Sequence, residues 1–129
     1  MTRGTYYRRM FYAAAIYNWL AAATTIAKTL IPSRVPIDSP FDPFGGQVFA
    51  LMVAVFGYGY FLVGRDPARN DAMVQIGIIG KLLIFVLFLA YAIAGTFPLV
   101  LMIPACGDVI FAFLFLEFLL ARRPHSAEA

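Results

Sequence analysis

Four apolar runs of about twenty residues each take up almost the whole of this chain of 129 residues. A helix needs about 20 consecutive apolar residues to cross the hydrocarbon layer of a bilayer. Proline, glycine and charged residues separate the runs, which lie at about 10–31, 47–64, 72–94 and 97–120. They predict a single transmembrane domain over 1–129, an all-α, up-and-down bundle of four spanning helices.

The composition agrees with a membrane protein and excludes several other classes. Hydrophobic residues make up 62% of the chain and charged residues only 13%, far from the balance of a soluble domain. Cys106 is the only cysteine and His125 the only histidine, so the sequence predicts neither a metal site nor a cofactor. The basic residues occur in ones and twos, which does not favour nucleic-acid binding. The predicted surroundings are a lipid bilayer.

The positions of the ten basic residues predict the orientation of the spans. Seven of the ten lie before the first span, between the second and third, or after the fourth, and these are Arg3, Arg8, Arg9, Arg65, Arg69, Arg122 and Arg123. Cytoplasmic segments of membrane proteins carry the excess of lysine and arginine. Both termini are therefore predicted to be cytoplasmic.

The connections between the spans carry helix-breaking and helix-capping residues. The loop at 32–46 contains four prolines, which predicts an extended outer loop without a helix. Asn70 or Asp71 is expected to cap the third helix. Gly95 is expected to close that helix, and Thr96 to cap the fourth.

Two ionisable residues, Lys81 and Asp108, lie deep inside the third and fourth spans. Lys81 is about 13 to 14 Å from the cytoplasmic end of its helix, and Asp108 is about 18 Å from the same surface. Because the two helices are antiparallel neighbours, the sequence predicts an ion pair or hydrogen bond between these residues. Asn18 lies on a face of small residues in the first span and is predicted to pack toward the same layer.

Two interpretations of this polar layer stay open at the level of sequence. A buried polar pair can fix the register of neighbouring helices while adding little net stability. It can also serve transport or ligand binding, as intramembrane charges often do. Pro104 and Gly107, close to Asp108, suit either a small polar cavity or close helix packing.

Glu117, Gln75 and Arg65 fall near the predicted cytoplasmic boundary. Glu117 is half a helical turn out of phase with Asp108, so the two carboxylates do not form a catalytic pair. A salt bridge at the membrane boundary is the predicted role of this group. Tyr7 and Tyr60, among other tyrosines at similar depth, are predicted to form an aromatic belt.

Several short segments resemble a known kind of protein. They are GYGY at 57–60, GRDPARN at 64–70, GIIGK at 77–81, GD at 107–108, and Phe111. Together they are similar to a group of small uncharacterised bacterial four-helix integral membrane proteins, and the overall plan is similar to the DoxX-like superfamily. The resemblance implies a location in the bacterial inner, or plasma, membrane, and it brings no assigned reaction or ligand.

Two functional hypotheses follow from these patterns. The first is a non-enzymatic accessory or scaffold subunit that binds a partner membrane protein or further copies of itself. The alternative is a small carrier or ligand-binding membrane protein that uses the Lys81 and Asp108 pair. An enzyme is not predicted, because the sequence supplies no set of nucleophile, base and orienting residue.

Overall fold

The structure is a computed structural model that describes residues 1–31 and 42–122. Arg34, Arg123, His125 and most of the proline-rich loop predicted at 32–46 therefore lie outside the described residues. All the regular structure within the described ranges is helical.

Four long helices account for almost all of the described chain. They are α1 (Arg3–Leu30), α2 (Pro43–Arg65), α3 (Asp71–Ile93) and α4 (Met102–Arg122), with a short 3₁₀ helix at Leu99–Leu101 that leads into α4. Each span is long and apolar enough to cross a membrane. The prediction of four helical membrane spans is confirmed at this level.

Cross-helix contacts show that neighbouring helices are antiparallel. Along α1 and α2, Asn18 bonds to Val53, whereas Thr29 bonds to Gln47, so one residue number rises as the other falls. The short connections 66–70 and 94–98 require the same arrangement for the next two pairs. The described helices therefore form the expected up-and-down order.

The start of α2 differs from the sequence prediction. Residues 43–46 were expected to belong to a loop, but α2 begins at Pro43, where a proline is tolerated because the first helical amides have no partner within the helix. Asp42 caps this end, and its Oδ1 accepts a hydrogen bond from the Gly45 amide at 2.5 Å. Thr2 caps α1 in the same manner and extends that helix to Arg3.

Two predicted helix caps are wrong. Asn70 makes no side-chain cap to α3, because its amide donates backward to the Asp66 carbonyl at 2.7 Å and so satisfies the end of α2. Asp71 bonds to Arg122 instead. Thr96 likewise donates backward, to the Tyr91 carbonyl, and does not cap the fourth helix.

Gly95 closes α3 as predicted. Its φ of +74° lies in the left-handed region, where a residue without Cβ is not strained. The chain then reverses direction within a few residues, so α3 and α4 form a tight hairpin. The pair α1 and α2 also packs closely, and the bundle thus consists of two hairpins.

The two hairpins meet mainly in one half of the bundle. We call this the arginine half; it comprises residues 3–15, 60–77 and 111–122 and carries Arg3, Arg65 and Arg122 at its end. Its core is a cluster of large buried side chains from all four helices, among them Phe11, Tyr60, Val74 and Phe115. The opposite half, residues 20–31, 43–56 and 84–105, is called the open half.

Candidate functional site

Lys81 and Asp108 form an ion pair between α3 and α4. The Nζ atom of Lys81 lies 2.5 Å from Oδ1 of Asp108. The lysine side chain is 5% exposed, whereas the aspartate side chain is 21% exposed. The contact predicted from helix depth is therefore present, and its carboxylate member is the more accessible one.

Asn18 links this ion pair to the other hairpin. Its Oδ1 accepts a hydrogen bond from Lys81 at 3.1 Å, and its Nδ2 donates to the Val53 carbonyl at 3.2 Å. The three side chains that sequence reasoning placed in one layer thus join α1, α3 and α4, with a further bond to α2. The polar layer spans the whole bundle.

Three aromatic rings surround the lysine ammonium. The Nζ atom lies 5.2 Å from the ring centroid of Tyr60 and 5.6 Å from those of Tyr17 and Phe111. A cation near the face of an aromatic ring is attracted by the ring's quadrupole, more strongly where water is excluded. The rings help to hold Lys81 in place and cover it on the sides not occupied by its two acceptors.

Sequence reasoning missed the role of these rings. Tyr60 was assigned to an aromatic belt at the boundary, but it is 1% exposed in the core, and Tyr7 is also buried. The prediction of a belt is therefore wrong for these two residues. The spacing of the glycines could have predicted that Tyr60 is buried. Gly57 lies three residues before Tyr60 and Gly64 four residues after it, so all three lie on the same buried face of α2.

A cavity of about 510 Å³ opens from the polar layer into the open half. Lys81, Asp108 and Asn18 lie at one end of its lining, and Lys28, in the last turn of α1, lies at the other. All four helices contribute to the wall. The volume falls in the range of about 300–1,000 Å³ that is typical of small-molecule sites.

Most of the cavity wall is apolar. Phe49, Phe88 and Leu101 line it beyond the polar layer. Thr24 and Thr25 also line it, but their hydroxyls donate to carbonyls of their own helix at 2.7 and 2.8 Å. The polar layer is therefore a floor beneath a largely apolar chamber.

Pro104 and Gly107 have structural roles beside the cavity. Pro104 lies in the first turn of α4, and its carbonyl accepts a hydrogen bond from the Tyr17 hydroxyl. A Cβ at Gly107 would lie 2.5 Å from that hydroxyl, so the glycine makes room for Tyr17. Both residues thus allow α1 to approach α4 at this level.

The boundary group of Glu117, Gln75 and Arg65 is not brought together as one salt bridge. Glu117 accepts a hydrogen bond from the Tyr7 hydroxyl at 3.2 Å. Within the described ranges, Arg65 forms no ion pair, and Gln75 lines a shallow surface pocket next to Asp71. Two ion pairs lie at this boundary in the described ranges, Asp71 with Arg122 and Asp66 with Arg69, and sequence reasoning selected neither.

Residues 1–31 and 42–122 contain no cluster of histidine, cysteine and carboxylate side chains able to hold a metal ion. Comparisons with known protein families, characterised protein sequences and solved structures found no match to this chain.

Proposed function

We propose that this protein is a membrane protein that binds a small ligand in the cavity between its two hairpins. The observation that carries the proposal is the position of a charged, hydrogen-bonded floor at the end of an apolar chamber of about 510 Å³. Apolar pockets with a few convergent polar groups are the usual form of small-molecule sites. Holding and releasing such a ligand would suit a carrier or a binding protein.

The accessibility of the pair supports ligand binding over register alone. Ionisable residues inside membrane spans that face a cavity commonly mark the path of a ligand or an ion. Asp108 lines the cavity, and 21% of its side chain is exposed. A ligand that enters the cavity therefore reaches the carboxylate.

The orientation and location belong to the same proposal. Arg3, Arg65, Arg69 and Arg122 lie at one end of the described helices, whereas Lys28 lies near the other. By the positive-inside rule we place the arginine end, and with it both termini, in the cytoplasm. The cavity then opens toward the outer leaflet, and the bacterial inner membrane is the proposed location.

Filling the cavity from one wall tests the proposal. Ala21 lines the cavity on α1, whereas Ala23 on the same helix is exposed outside it. The protein is purified in mild detergent, and co-purified small molecules are measured by native mass spectrometry. We expect Ala21→Phe to lose a bound species that wild type and Ala23→Phe retain.

A second variant approaches the cavity from the opposite wall. A Cβ at Gly80 would lie 3.7 Å from Phe56, an ordinary contact, so this position accepts a side chain, and Gly80→Val reduces the cavity from α3. It should lose the same bound species as Ala21→Phe. The proposal is wrong if all four proteins carry the same species in equal amounts, or if none carries a species that depends on the cavity.

The accessory-subunit hypothesis stays a prediction. The absence of enzymatic activity and the kinship to small bacterial four-helix proteins also stay predictions. The accessory-subunit hypothesis is tested by co-purification with a fixed partner membrane protein. Ala21→Phe distinguishes the two hypotheses. A larger side chain inside the cavity should displace a small ligand but should not affect a partner protein bound on the outer surface.

A further inference from the structure

The floor of the cavity carries no net charge. Lys81 and Asp108 are opposite charges in direct contact, at 2.5 Å. Glu117 is on the far side of the aromatic core, and Lys28 is ten residues from Asn18, or about 15 Å along the helix. A charged ligand head at the floor would therefore lose its hydration without meeting a compensating net charge.

The ammonium and amide donors at the floor are already used, and only the neutral Tyr60 hydroxyl has no acceptor among the described residues. Lys81 donates to Asp108 and to Asn18, and three rings cover the rest of its ammonium. The Asn18 amide donates to the backbone of α2. The Tyr17 hydroxyl donates to the Pro104 carbonyl. A ligand head that needs a strong donor finds little here.

An acceptor, by contrast, remains available. The carboxylate contact of Lys81 uses Oδ1 of Asp108, and in the described part of the chain no side chain or amide donates to Oδ2. A carboxylate has about four acceptor positions, so most of its capacity is open. No fully buried polar side-chain atom of the described residues lacks a partner, which places Oδ2 in accessible space.

We infer that the ligand is an amphiphile with an uncharged head that donates a hydrogen bond to Asp108, and with an apolar tail that lies in the open half. A long-chain alcohol or amide has this chemistry. This inference rests on the proposed function and names the class of its ligand. Hydrogen bonds to an ionised acceptor are shorter and stronger than neutral ones, so one such bond is enough to orient the head.

The tail follows from the shape and lining of the cavity. From Asn18 to Lys28 the wall extends about 15 Å along α1, which accommodates a medium-length alkyl chain. Phe49, Phe88 and Leu101 offer it an apolar surface. The exposed Leu20 also lines the cavity, so the chamber is continuous with the lipid from which such an amphiphile would enter.

Three probes with the same tail and different heads test the inference. Each carries a photoreactive dodecyl chain, ending in a hydroxyl, a sulfonate or a trimethylammonium group, so that the last two are permanently charged. The wild-type protein in lipid nanodiscs is labelled over a range of probe concentrations, and labelled residues are mapped by mass spectrometry. We expect the alcohol to half-saturate labelling of the cavity wall at a concentration at least about tenfold lower than either charged probe.

The possible results separate the two proposals. If a charged probe saturates the cavity wall at the same or a lower concentration than the alcohol, the inferred head is wrong while the cavity remains a binding site. If no probe labels Phe49, Phe88 or their neighbours saturably, the proposed function itself is contradicted.

Paired substitutions at the floor identify the hydrogen bond. Lys81→Met with Asp108→Leu removes both charges and the acceptor, and should abolish the high affinity for the alcohol. Lys81→Met with Asp108→Asn also removes both charges but keeps an amide oxygen, and should retain part of it. Ile79→Ala, at an exposed position outside the cavity, is the control and should match wild type. Equal alcohol binding by both double variants would overturn the assignment to Asp108.

Discussion

The arginine half and the open half are built from the same four helices but are closed by different means. In the arginine half, Phe11 stacks on Phe115 with ring centroids 4.9 Å apart, and Tyr60 meets Phe115 edge-on at 5.0 Å. In the open half, the rings of Phe49 and Phe88 are 6.5 Å apart and line a cavity. The first half is filled by interlocking rings, and the second is not.

The difference shows what holds two hairpins together in a bilayer. Lipid tails are as apolar as leucine, so helices associate through close packing and hydrogen bonds and not through the hydrophobic effect. Buried residues of the open half, such as Ala22 and Ala50, are small and bring α1 close to α2. They do not reach across to the other hairpin, and the space between the hairpins stays open.

The largest expected effect is the loss of a ring from the arginine half. Phe115 is completely buried against rings from α1 and α2, and Phe115→Ala should lower the free energy of unfolding by about 4 kcal/mol. Phe88→Ala, in the open half, loses a partly exposed ring and should cost only about 1 kcal/mol. Unfolding by sodium dodecyl sulfate in mixed micelles, followed through Trp19 fluorescence, measures both values. Equal losses would mean that the two halves are packed alike.

The next effect is expected at the boundary between the halves, where the ion pair lies. Lys81→Met leaves Asp108 without its cation and should destabilise the protein by about 3 kcal/mol. The double variant Lys81→Met with Asp108→Asn should recover most of this loss, because no uncompensated charge remains and the new amide can donate to Asn18.

The same unfolding measurement checks this prediction, with Asp108→Asn alone as the matched single variant. The measured quantity is the difference between the stability loss of the double variant and the sum of the losses of the two single variants. If the two losses simply add, the ion pair contributes nothing specific, and the polar layer does not separate the halves as we describe.

The sequence predicted the four spans and the polar layer by different routes. The spans followed from length and hydropathy, because the thickness of a bilayer fixes how many residues must be apolar. The contact between Lys81 and Asp108 followed from axial depth, because the helical rise is constant and a short connection makes α3 and α4 antiparallel neighbours. Hydropathy and axial position depend only on the order of residues along the chain, so both can be read directly from the sequence.

The cavity could not be predicted in this way. Its width depends on how far the second hairpin stands from the first, which is set by side chains distant in sequence. Tyr17 of α1 packs where Gly107 of α4 has no side chain, which brings the two hairpins close together at this level. The capping of α2 by Asp42 was missed for a related reason, since a proline at the first helical position reads as a loop in a segment that holds four prolines.

Two glycines on one helix give a smaller and sharper test of the comparison. A Cβ at Gly77 would lie 2.7 Å from the ring of Tyr60, so Gly77→Ala should cost about 2 kcal/mol by overpacking the arginine half. Gly80, three residues further along α3, faces the cavity, and Gly80→Ala should stabilise the protein by about 0.5 kcal/mol through helix propensity. Opposite signs are expected in the same unfolding experiment. A loss of similar size at both positions would contradict the difference in packing.

The smallest expected effect concerns two tyrosine hydroxyls that join α1 to α4, one in each part of the bundle. Tyr7 donates to Glu117 in the arginine half, and Tyr17 donates to the Pro104 carbonyl beside the cavity. Hydrogen bonds between membrane helices contribute about 0.6 kcal/mol on average, so Tyr7→Phe and Tyr17→Phe should each lower stability by about that amount.

Ligand binding should distinguish the two hydroxyls where stability does not. The ring core holds α1 against α4 around Tyr7 whether or not its hydroxyl is present, so Tyr7→Phe should bind the dodecyl alcohol probe like wild type. Tyr17 lines the cavity, and without its bond α1 is less firmly held beside the floor. If the free energy needed to reorder the site equals the free energy of the lost hydrogen bond, Tyr17→Phe should bind the probe about threefold more weakly. Equal binding by the two variants would show that the cavity keeps its shape without this contact, and that the open half is more rigid than its sparse packing implies.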